Sequence, residues 1–220
     1  MIDFLNNLDM QALLAVNSHH AAVPDIFMMA YTGKLIWVPL YLALAWFVWK
    51  RAGWAHAIVI VLAIVATIAL ADQTCATLLR PIFERLRPSH STEIGGLVNV
   101  VNGYRGGLYG FPSCHAANSV ALTVWFFLLC GARSRLSMML LVWCLLTCYT
   151  RMYLGVHYPG DLLFGSVVGS LCALLCWFLA VRIFKIGKFR GDTATQIPLA
   201  AFLLTVTALL IYSIVAHLVR

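Results

Sequence analysis

Long apolar segments, broken by short polar ones, constrain this chain more than any other feature of its sequence. Of its 220 residues, 62% are hydrophobic and only 10% are charged, whereas soluble domains carry roughly 25% charged residues. Several apolar runs reach the length of about 20 residues that a helix needs to cross a bilayer. No alternating β-barrel pattern is present, so the spanning elements are expected to be helices. The sequence therefore predicts an all-α, polytopic membrane helical bundle, with residues 1–220 forming a single domain.

The apolar runs predict about six transmembrane helices, preceded by an amphipathic helix at the membrane interface. Residues 1–24 are too mixed to span, but their leucines recur with partial helical periodicity, as in interfacial helices. A long polar connection between the second and third spans contains a glycine-rich run at 102–110. This run is either a flexible loop or a lid with a contact to the substrate, and the sequence leaves both open. The predicted spans cover residues 26–49, 56–79, 116–129, 136–154, 161–184 and 197–219.

Basic residues give the chain a formal net charge of +7 and lie mostly at the ends of apolar runs. This placement favours contacts with membrane lipids over nucleic-acid binding, and no obligatory protein partner is evident. In a six-span bundle, eight basic residues fall on one side and seven on the other. Three of the seven are candidate site residues, whose placement follows chemistry, and setting them aside leaves eight against four. The side with eight is therefore predicted to be cytoplasmic. The eight are Lys50, Arg51, Arg133, Arg135, Arg182, Lys185, Lys188 and Arg190, and the seven are Lys34, Arg80, Arg85, Arg87, Arg105, Arg151 and Arg220.

The cysteines and histidines give no sign of a metal site or a disulfide framework. Seven cysteines lie mostly within apolar segments, where a free thiol behaves as a small hydrophobic side chain. Their number is odd, and no pair has the CxxC spacing of a zinc ligand set. His19 and His20 are adjacent, but no further ligand lies nearby. We therefore predict neither a metal ion nor any other cofactor.

A polar thread between residues 80 and 161 carries the groups that could perform chemistry. All of it falls on one side of the predicted membrane, at the ends of four spans. Guanidinium groups match phosphate oxygens, and of two histidines one can attack phosphorus while the other protonates the leaving oxygen. Asp161, four residues after His157, can accept a proton from one ring nitrogen and leave the other free to attack. Each residue alone has a structural explanation, but together Arg80, Arg87, His115, Arg151, His157 and Asp161 predict a phosphate-handling site.

The thread resembles the three-part signature of the type 2 phosphatidic acid phosphatase superfamily. The resemblance covers about residues 26–184 and leaves the helix at about 197–219 as an additional C-terminal span. It implies a helical bundle that hydrolyses phosphoesters without a metal, through a phosphohistidine intermediate. The motifs that carry it are Arg80-x6-Arg87-Pro88, then Pro112-Ser113-Cys114-His115, then Thr150-Arg151-x5-His157-x3-Asp161.

The resemblance also implies a role for each matched residue. His157 would be the nucleophile, Asp161 would orient it, and His115 would be the general acid. The phosphate would be held by matched arginines, a serine and the backbone amide of Cys114. Outside the signature, Tyr104 and Arg105 of the glycine-rich run are candidate headgroup contacts. The predicted phosphate-binding residues are Arg80, Arg87, Ser113, Cys114 and Arg151.

Three matched positions depart from the usual family pattern. Arg80 stands where lysine is usual, which keeps the charge but changes its reach and hydrogen-bond geometry. Cys114 replaces a glycine and brings a side chain to a place of close backbone approach. Thr150 replaces a common serine. None removes a catalytic group, although the first two could narrow the range of substrates.

These observations predict an integral membrane lipid phosphatase, in the inner membrane of a bacterium, with its site facing the periplasm or the outside. By analogy with small bacterial relatives, undecaprenyl diphosphate is the favoured substrate. Phosphatidylglycerophosphate and lipid A phosphate are the alternatives. A non-enzyme alternative is a lipid-phosphate transporter or flippase, but charges near the bilayer centre and related halves of the chain are not evident.

Overall fold

A computed structural model gives the structure of residues 2–189, 191 and 194–219. Over these residues the chain is almost entirely helical, and its one β interaction is an isolated bridge between Leu86 and Tyr109. The prediction of an all-α fold is thus confirmed. Arg190 and Arg220, two of the residues in the charge count, lie outside the described residues. The α-helices are α1 (Ile2–Asn17), α2 (Ala22–Tyr31), α3 (Val38–Gln73), α4 (Arg80–Phe83), α5 (Cys114–Cys130), α6 (Arg135–Tyr153), α7 (Pro159–Phe184) and α8 (Gln196–Leu218).

Within the described part of the chain, four helical stretches are long and apolar enough to cross a membrane. They are Leu35–Phe83, Arg135–Tyr153, Pro159–Phe184 and Gln196–Leu218. Helix α5 is apolar but has only 17 residues, or about 26 Å against a hydrocarbon core of roughly 30 Å. The count of six spans therefore stays a prediction, although the later helices begin and end within two residues of the predicted bounds.

The first of these stretches is sharply bent. Gly53 has a φ of 73° and a ψ of 167°, values that interrupt the helix and that glycine adopts readily. At about 1.5 Å per residue the arms before and after the bend are about 27 Å and 45 Å long. Residues of both arms line one cavity, so the arms lie side by side. The two arms correspond to the first two predicted spans, although their ends differ from the predicted ones.

The single helix predicted over residues 26–49 is wrong at its start. The structure ends α2 at Tyr31 and begins α3 only at Val38, with a 3₁₀ turn over Leu35–Trp37 between them. Proline fits the first turn of a helix, and Pro39 marks the start of α3 in this way. The predicted interfacial helix, which is expected to close at His19 and His20, corresponds to α1, which ends at Asn17.

The helix after Gly53 extends further than its predicted end at residue 79. It widens into a π-helix over Thr74–Leu79 and continues through α4 to Phe83. Glu84 then takes the left-handed conformation, with a φ of 43°, and ends it. Arg80, predicted to lie in a loop, therefore extends from a helix. π-Helical insertions of this kind occur frequently at functional sites.

Helices α5 and α7 approach each other closely at their N-terminal ends. A Cβ atom on Gly165 would lie 2.4 Å from the carbonyl oxygen of Ser113, and one on Gly169 would lie 2.1 Å from that of Ala117. Small residues four apart allow membrane helices to pack backbone against backbone. The backbone N–H of Ser113 also donates to the carbonyl oxygen of Asp161 at 3.0 Å. The polar residues that open the two helices are thereby held side by side.

Candidate active site

His157 lies buried in the turn between α6 and α7, with its two ring nitrogens in different contacts. Nδ1 is 3.3 Å from Oδ2 of Asp161, and Nε2 is 3.0 Å from Nη1 of Arg87. A guanidinium only donates hydrogen bonds, so Nε2 must be the acceptor and Nδ1 must carry the proton that faces Asp161. This tautomer leaves a lone pair on Nε2. The structure thus brings together the predicted His157 and Asp161 in the predicted orientation.

The surroundings of His157 keep its ring neutral. Burial, and then the positive charges of Arg87, Arg151 and Arg80, hold the pKa of His157 well below its ordinary value of 6.5. Both influences disfavour the imidazolium form. At neutral pH the ring therefore keeps the lone pair that a nucleophile requires.

Three arginines, Arg80, Arg87 and Arg151, gather around His157. Burial, and then the charges of Arg151 and Arg80, lower the pKa of Arg87 to about 10. Among the described residues none of the three forms an ion pair with a carboxylate. The buried Nε atoms of Arg80 and Arg151 also have no hydrogen-bond partner. Such a concentration of guanidinium groups is suited to a multiply charged anion.

Arg151 is held by contacts that the sequence did not indicate. Its Nη1 donates to the hydroxyl of Thr32 at 2.6 Å, and its Nη2 donates to the hydroxyl of Tyr104 at 3.1 Å. Burial raises the pKa of Tyr104, but the charge of Arg151, its hydrogen bond and the charge of Arg87 together outweigh burial, and the net shift is downward. Arg105 instead donates to the carbonyl oxygen of Ser89 at 2.7 Å. Tyr104 therefore contacts the arginine cluster, whereas Arg105 forms a hydrogen bond within the connection between α4 and α5.

The glycine-rich run passes directly over the site. A Cβ atom on Gly110 would lie 3.0 Å from Cγ of Arg87 and 3.2 Å from Oδ2 of Asp161, and one on Gly106 would lie 3.2 Å from the Arg87 guanidinium. The N–H of Gly110 donates to the carbonyl oxygen of Arg85 at 2.9 Å. Gly106 and Gly110 thus leave room for the side chains that lie next to them.

Two of the three residues that depart from the family pattern, Arg80 and Cys114, contact each other. Nη2 of Arg80 lies 3.2 Å from Sγ of Cys114 and also donates to the carbonyl oxygen of Pro112 at 3.3 Å. Ser113 is buried and caps α5, its hydroxyl accepting from the N–H of Ala116 at 3.4 Å. The start of α5 therefore meets Arg80 as the signature requires.

His115 lies in the first turn of α5 and lines a cavity of about 460 Å³. It interacts electrostatically with Arg151 and His157, so it belongs to the same site. Beyond His115, the cavity walls are mostly apolar and come from both arms of the bent helix, α5 and α6. Tyr41 and Val65 line it and are 40% and 56% exposed, so the cavity opens onto the lipid-facing surface.

Sequence reasoning missed two residues of the charged network. Arg85 donates from Nη1 to Oδ1 of Asp161 at 2.8 Å and from Nη2 to Oδ2 of Asp9 at 2.7 Å. The signal for Arg85 was its position in the polar thread, but nothing in the sequence singled out Asp9. Asp72, near the end of α3, accepts from Nδ2 of Asn118 at 2.8 Å. Among the described residues no group of three or more His, Cys, Asp or Glu side chains is placed to hold a metal ion.

A helical membrane bundle in which three arginines gather beside a neutral, oriented histidine is suited to a membrane enzyme that acts on phosphate groups. The sequence profile of the PAP2 superfamily matches residues 57–185. A protein of Bacteroides thetaiotaomicron named lipid A 4'-phosphatase is 44% identical over 225 residues, covering 98% of this chain and 99% of that protein. The chain belongs to the PAP2 superfamily, the type 2 phosphatidic acid phosphatases, and is a membrane lipid phosphatase. The enzyme prediction is confirmed against the transporter alternative.

Further relatives agree with this assignment. A lipid A 4'-phosphatase of Porphyromonas gingivalis is 29% identical over 203 residues, covering 91% of this chain and 84% of that protein. Two solved structures share the fold. LpxE from Aquifex aeolicus has a TM-score of 0.57 and 21% identity, covering 78% of this chain and 95% of its own. A phosphatidylglycerolphosphate phosphatase from Bacillus subtilis has a TM-score of 0.59 and 19% identity, covering 81% and 87%.

Proposed function

We propose that this lipid phosphatase removes the 4'-phosphate of lipid A. The relative from Bacteroides thetaiotaomicron carries the proposal, because its name states that activity and its similarity extends over nearly the whole of both chains. The second relative, from Porphyromonas gingivalis, bears the same name. Undecaprenyl diphosphate, which the sequence favours by analogy of size, is less well supported than this alternative. The likeness to the phosphatidylglycerolphosphate phosphatase is one of fold and supports no choice of substrate.

The arginine cluster is the proposed phosphate site. Arg80, Arg87 and Arg151 bring three positive charges to one buried place, and a phosphate dianion would neutralise two of them. Its oxygens would also supply acceptors for guanidinium hydrogens near His157. The hydroxyl of Ser113 and the backbone amide of Cys114 add neutral donors at the start of α5, where the helix dipole favours an anion.

Hydrolysis would proceed in two displacements at phosphorus. Nε2 of His157 attacks, a P–N bond forms, and the P–O bond to the lipid breaks. His115, protonated when the negative charge of the phosphate is bound beside it, gives its proton to the leaving oxygen. A water molecule then attacks the phosphohistidine, gives its proton to His115, and the P–N bond breaks to release inorganic phosphate. Asp161 holds the Nδ1 proton throughout and stabilises the positive charge that develops on the ring.

The position of His115 supports its role as general acid and that of His157 as nucleophile. His115 lines the mostly apolar cavity, whereas His157 lies among the arginines, so a lipid phosphate bound between them would have its leaving oxygen near His115. The apolar part of the lipid would lie in the cavity, which opens to the lipid-facing surface. We also propose that the site faces the periplasm in a bacterial inner membrane, on the bias of basic residues toward the opposite loops.

The decisive experiment measures phosphate release by the purified protein from lipid A, undecaprenyl diphosphate and phosphatidylglycerophosphate. Mass spectrometry of the lipid A product identifies which phosphate is lost. We expect loss of the 4'-phosphate from lipid A at the highest kcat/KM, and undiminished release in the presence of EDTA. His157→Ala should abolish both release and trapping of a phosphoenzyme, while His56→Ala, at an exposed residue, serves as the matched control.

The arms of this experiment separate the parts of the proposal. A higher kcat/KM for undecaprenyl diphosphate would overturn the substrate while leaving the chemistry intact. Turnover by His157→Ala near the wild-type rate would overturn the nucleophile. Loss of activity in EDTA, restored by a divalent cation, would overturn the metal-independent mechanism.

A further inference from the structure

A chain of charges connects the N-terminal helix α1 to the candidate nucleophile. Asp9 on α1 and Asp161 on α7 each accept a short hydrogen bond from Arg85, at 2.7 Å and 2.8 Å. Asp161 in turn contacts Nδ1 of His157. The one guanidinium therefore bridges two carboxylates that are 152 positions apart in sequence, and only one of them belongs to the family signature.

Asp9 makes a second contact at the same place. Its Oδ1 accepts from the backbone N–H of Gly160 at 2.7 Å, in the first turn of α7 and one residue before Asp161. A Cβ atom on Gly160 would lie 2.8 Å from Oδ2 of Asp9, so the lack of a side chain there permits the contact. A carboxylate at the N-terminal end of a helix is favoured by the helix dipole and satisfies a free N–H. Asp9 thus holds both Arg85 and the start of α7.

The charges of this chain are largely removed from water. The side chain of Asp161 is fully buried, while those of Asp9 and Arg85 are 12% and 26% exposed. Burial lowers the pKa of Arg85, but Asp161 and Asp9 outweigh it and the net shift is upward. Arg85 also lies 4.2 Å above the ring of Tyr158, which confines it further. A guanidinium confined in this way keeps a fixed geometry toward each carboxylate.

We propose that Asp9 is a positioning residue for the phosphatase reaction. By occupying Nη2 of Arg85 and the N–H of Gly160, it keeps Arg85 on Oδ1 of Asp161 and leaves Oδ2 for His157. Without the charge of Asp9, Arg85 has one carboxylate left and can take both oxygens of Asp161 in a bidentate pair. That rearrangement would compete with Nδ1 of His157 and weaken its orientation. The inference rests on the proposed role of His157 as nucleophile.

The proposal makes α1 more than an interfacial anchor, because a residue far from the substrate then controls the rate of the chemical step. The arginine cluster does not contact Asp9, so substrate binding should be preserved when Asp9 changes. The expected signature is therefore a lower kcat with an unchanged KM and an unchanged inhibition constant for inorganic phosphate.

The test compares Asp9→Asn with Asp3→Asn, a matched change at an exposed residue of the same helix. Asparagine keeps an oxygen for the N–H of Gly160 but removes the charge that holds Arg85. We expect Asp9→Asn to lower kcat about 10-fold, within the range of couplings between contacting charged residues. Asp3→Asn should behave as the wild type. In a double-mutant cycle with Arg85→Gln, the effects should be strongly non-additive, because Asp9 acts through Arg85.

Two results would overturn the proposal. One is a kcat of Asp9→Asn equal to that of Asp3→Asn, and the other is an additive double mutant, which would indicate a structural role alone. If Asp9→Asn does not fold in detergent, Arg85→Lys replaces it, because an ammonium cannot bridge the two carboxylates as the guanidinium fork does. An unchanged kcat in Arg85→Lys would then contradict the proposal. A wild-type protein without phosphatase activity would instead overturn the proposed function itself.

Discussion

Substitution of Gly165 tests whether the close approach of α5 and α7 sets the geometry of the site. In Gly165→Ala the new methyl group would lie 2.4 Å from the carbonyl oxygen of Ser113, whereas ordinary contacts begin at 3.4 Å. The neighbouring atom is backbone and cannot rotate away, so the two helix starts must separate by about 1 Å. A misplacement of this size can reduce the rate of a positioned reaction by about 100-fold.

The reason lies in what the two helices carry. Helix α5 is capped by Ser113 and presents His115, while α7 carries Asp161 four residues before Gly165. Separation of the helices therefore changes the distance between His115 and His157, the proposed general acid and nucleophile. We expect kcat for phosphate release from lipid A to fall about 100-fold. The matched control is Gly187→Ala, since a Cβ atom there has nothing within 4 Å and its backbone is not left-handed. Folding is checked by the melting temperature in detergent. A folded Gly165→Ala protein with activity within about twofold of the control would refute the reasoning.

Two further predictions concern the cavity and the nucleophile. Ala45→Trp should fill the cavity and raise KM for long-chain lipid phosphates but not for a short-chain soluble phosphate. The control Ala66→Trp, at an exposed position of the second arm that does not line the cavity, should leave KM for both substrates unchanged. An equal effect of both variants on both substrates would contradict an apolar lipid site. Burial and the arginine charges lower the pKa of His157, so Arg80→Gln should raise that pKa and move the acid limb of kcat/KM to higher pH. If the acid limb of the pH profile of kcat/KM, recorded on one substrate, stayed in place or moved to lower pH, this electrostatic explanation would be contradicted.

The overall class and most of the helices could be predicted because both depend on local sequence. An apolar run of about 20 residues needs no tertiary information to be identified as a span. The predictions that failed concern helix ends, whose positions depend on backbone detail. The interval between α2 and α3 depends on a short turn, and the extension of the second arm depends on a π-helix over Thr74–Leu79 that leaves no periodic signal.

For the candidate site, the residues within the signature were predictable and their supports were not. His157 and Asp161 are four residues apart, so their contact follows from one turn of helix, and the structure brings them together. Thr32 reaches the site from the end of α2 and Asp9 reaches it from α1, over sequence separations that no spacing rule covers. The sequence showed that Arg85 is charged but not that it bridges two carboxylates, because its partner on α1 could be located only in three dimensions.

The cavity that opens between the two arms of the bent helix has a consequence for how the enzyme meets its substrate. An opening onto the lipid-facing surface means that a lipid phosphate can reach His115 by sideways diffusion within one leaflet, without extraction into water. The apolar chains then never lose their hydrocarbon surroundings, and no hydrophobic free energy opposes entry. Encounter becomes a two-dimensional process, in which the turnover rate follows the surface density of the substrate in the bilayer rather than its bulk concentration.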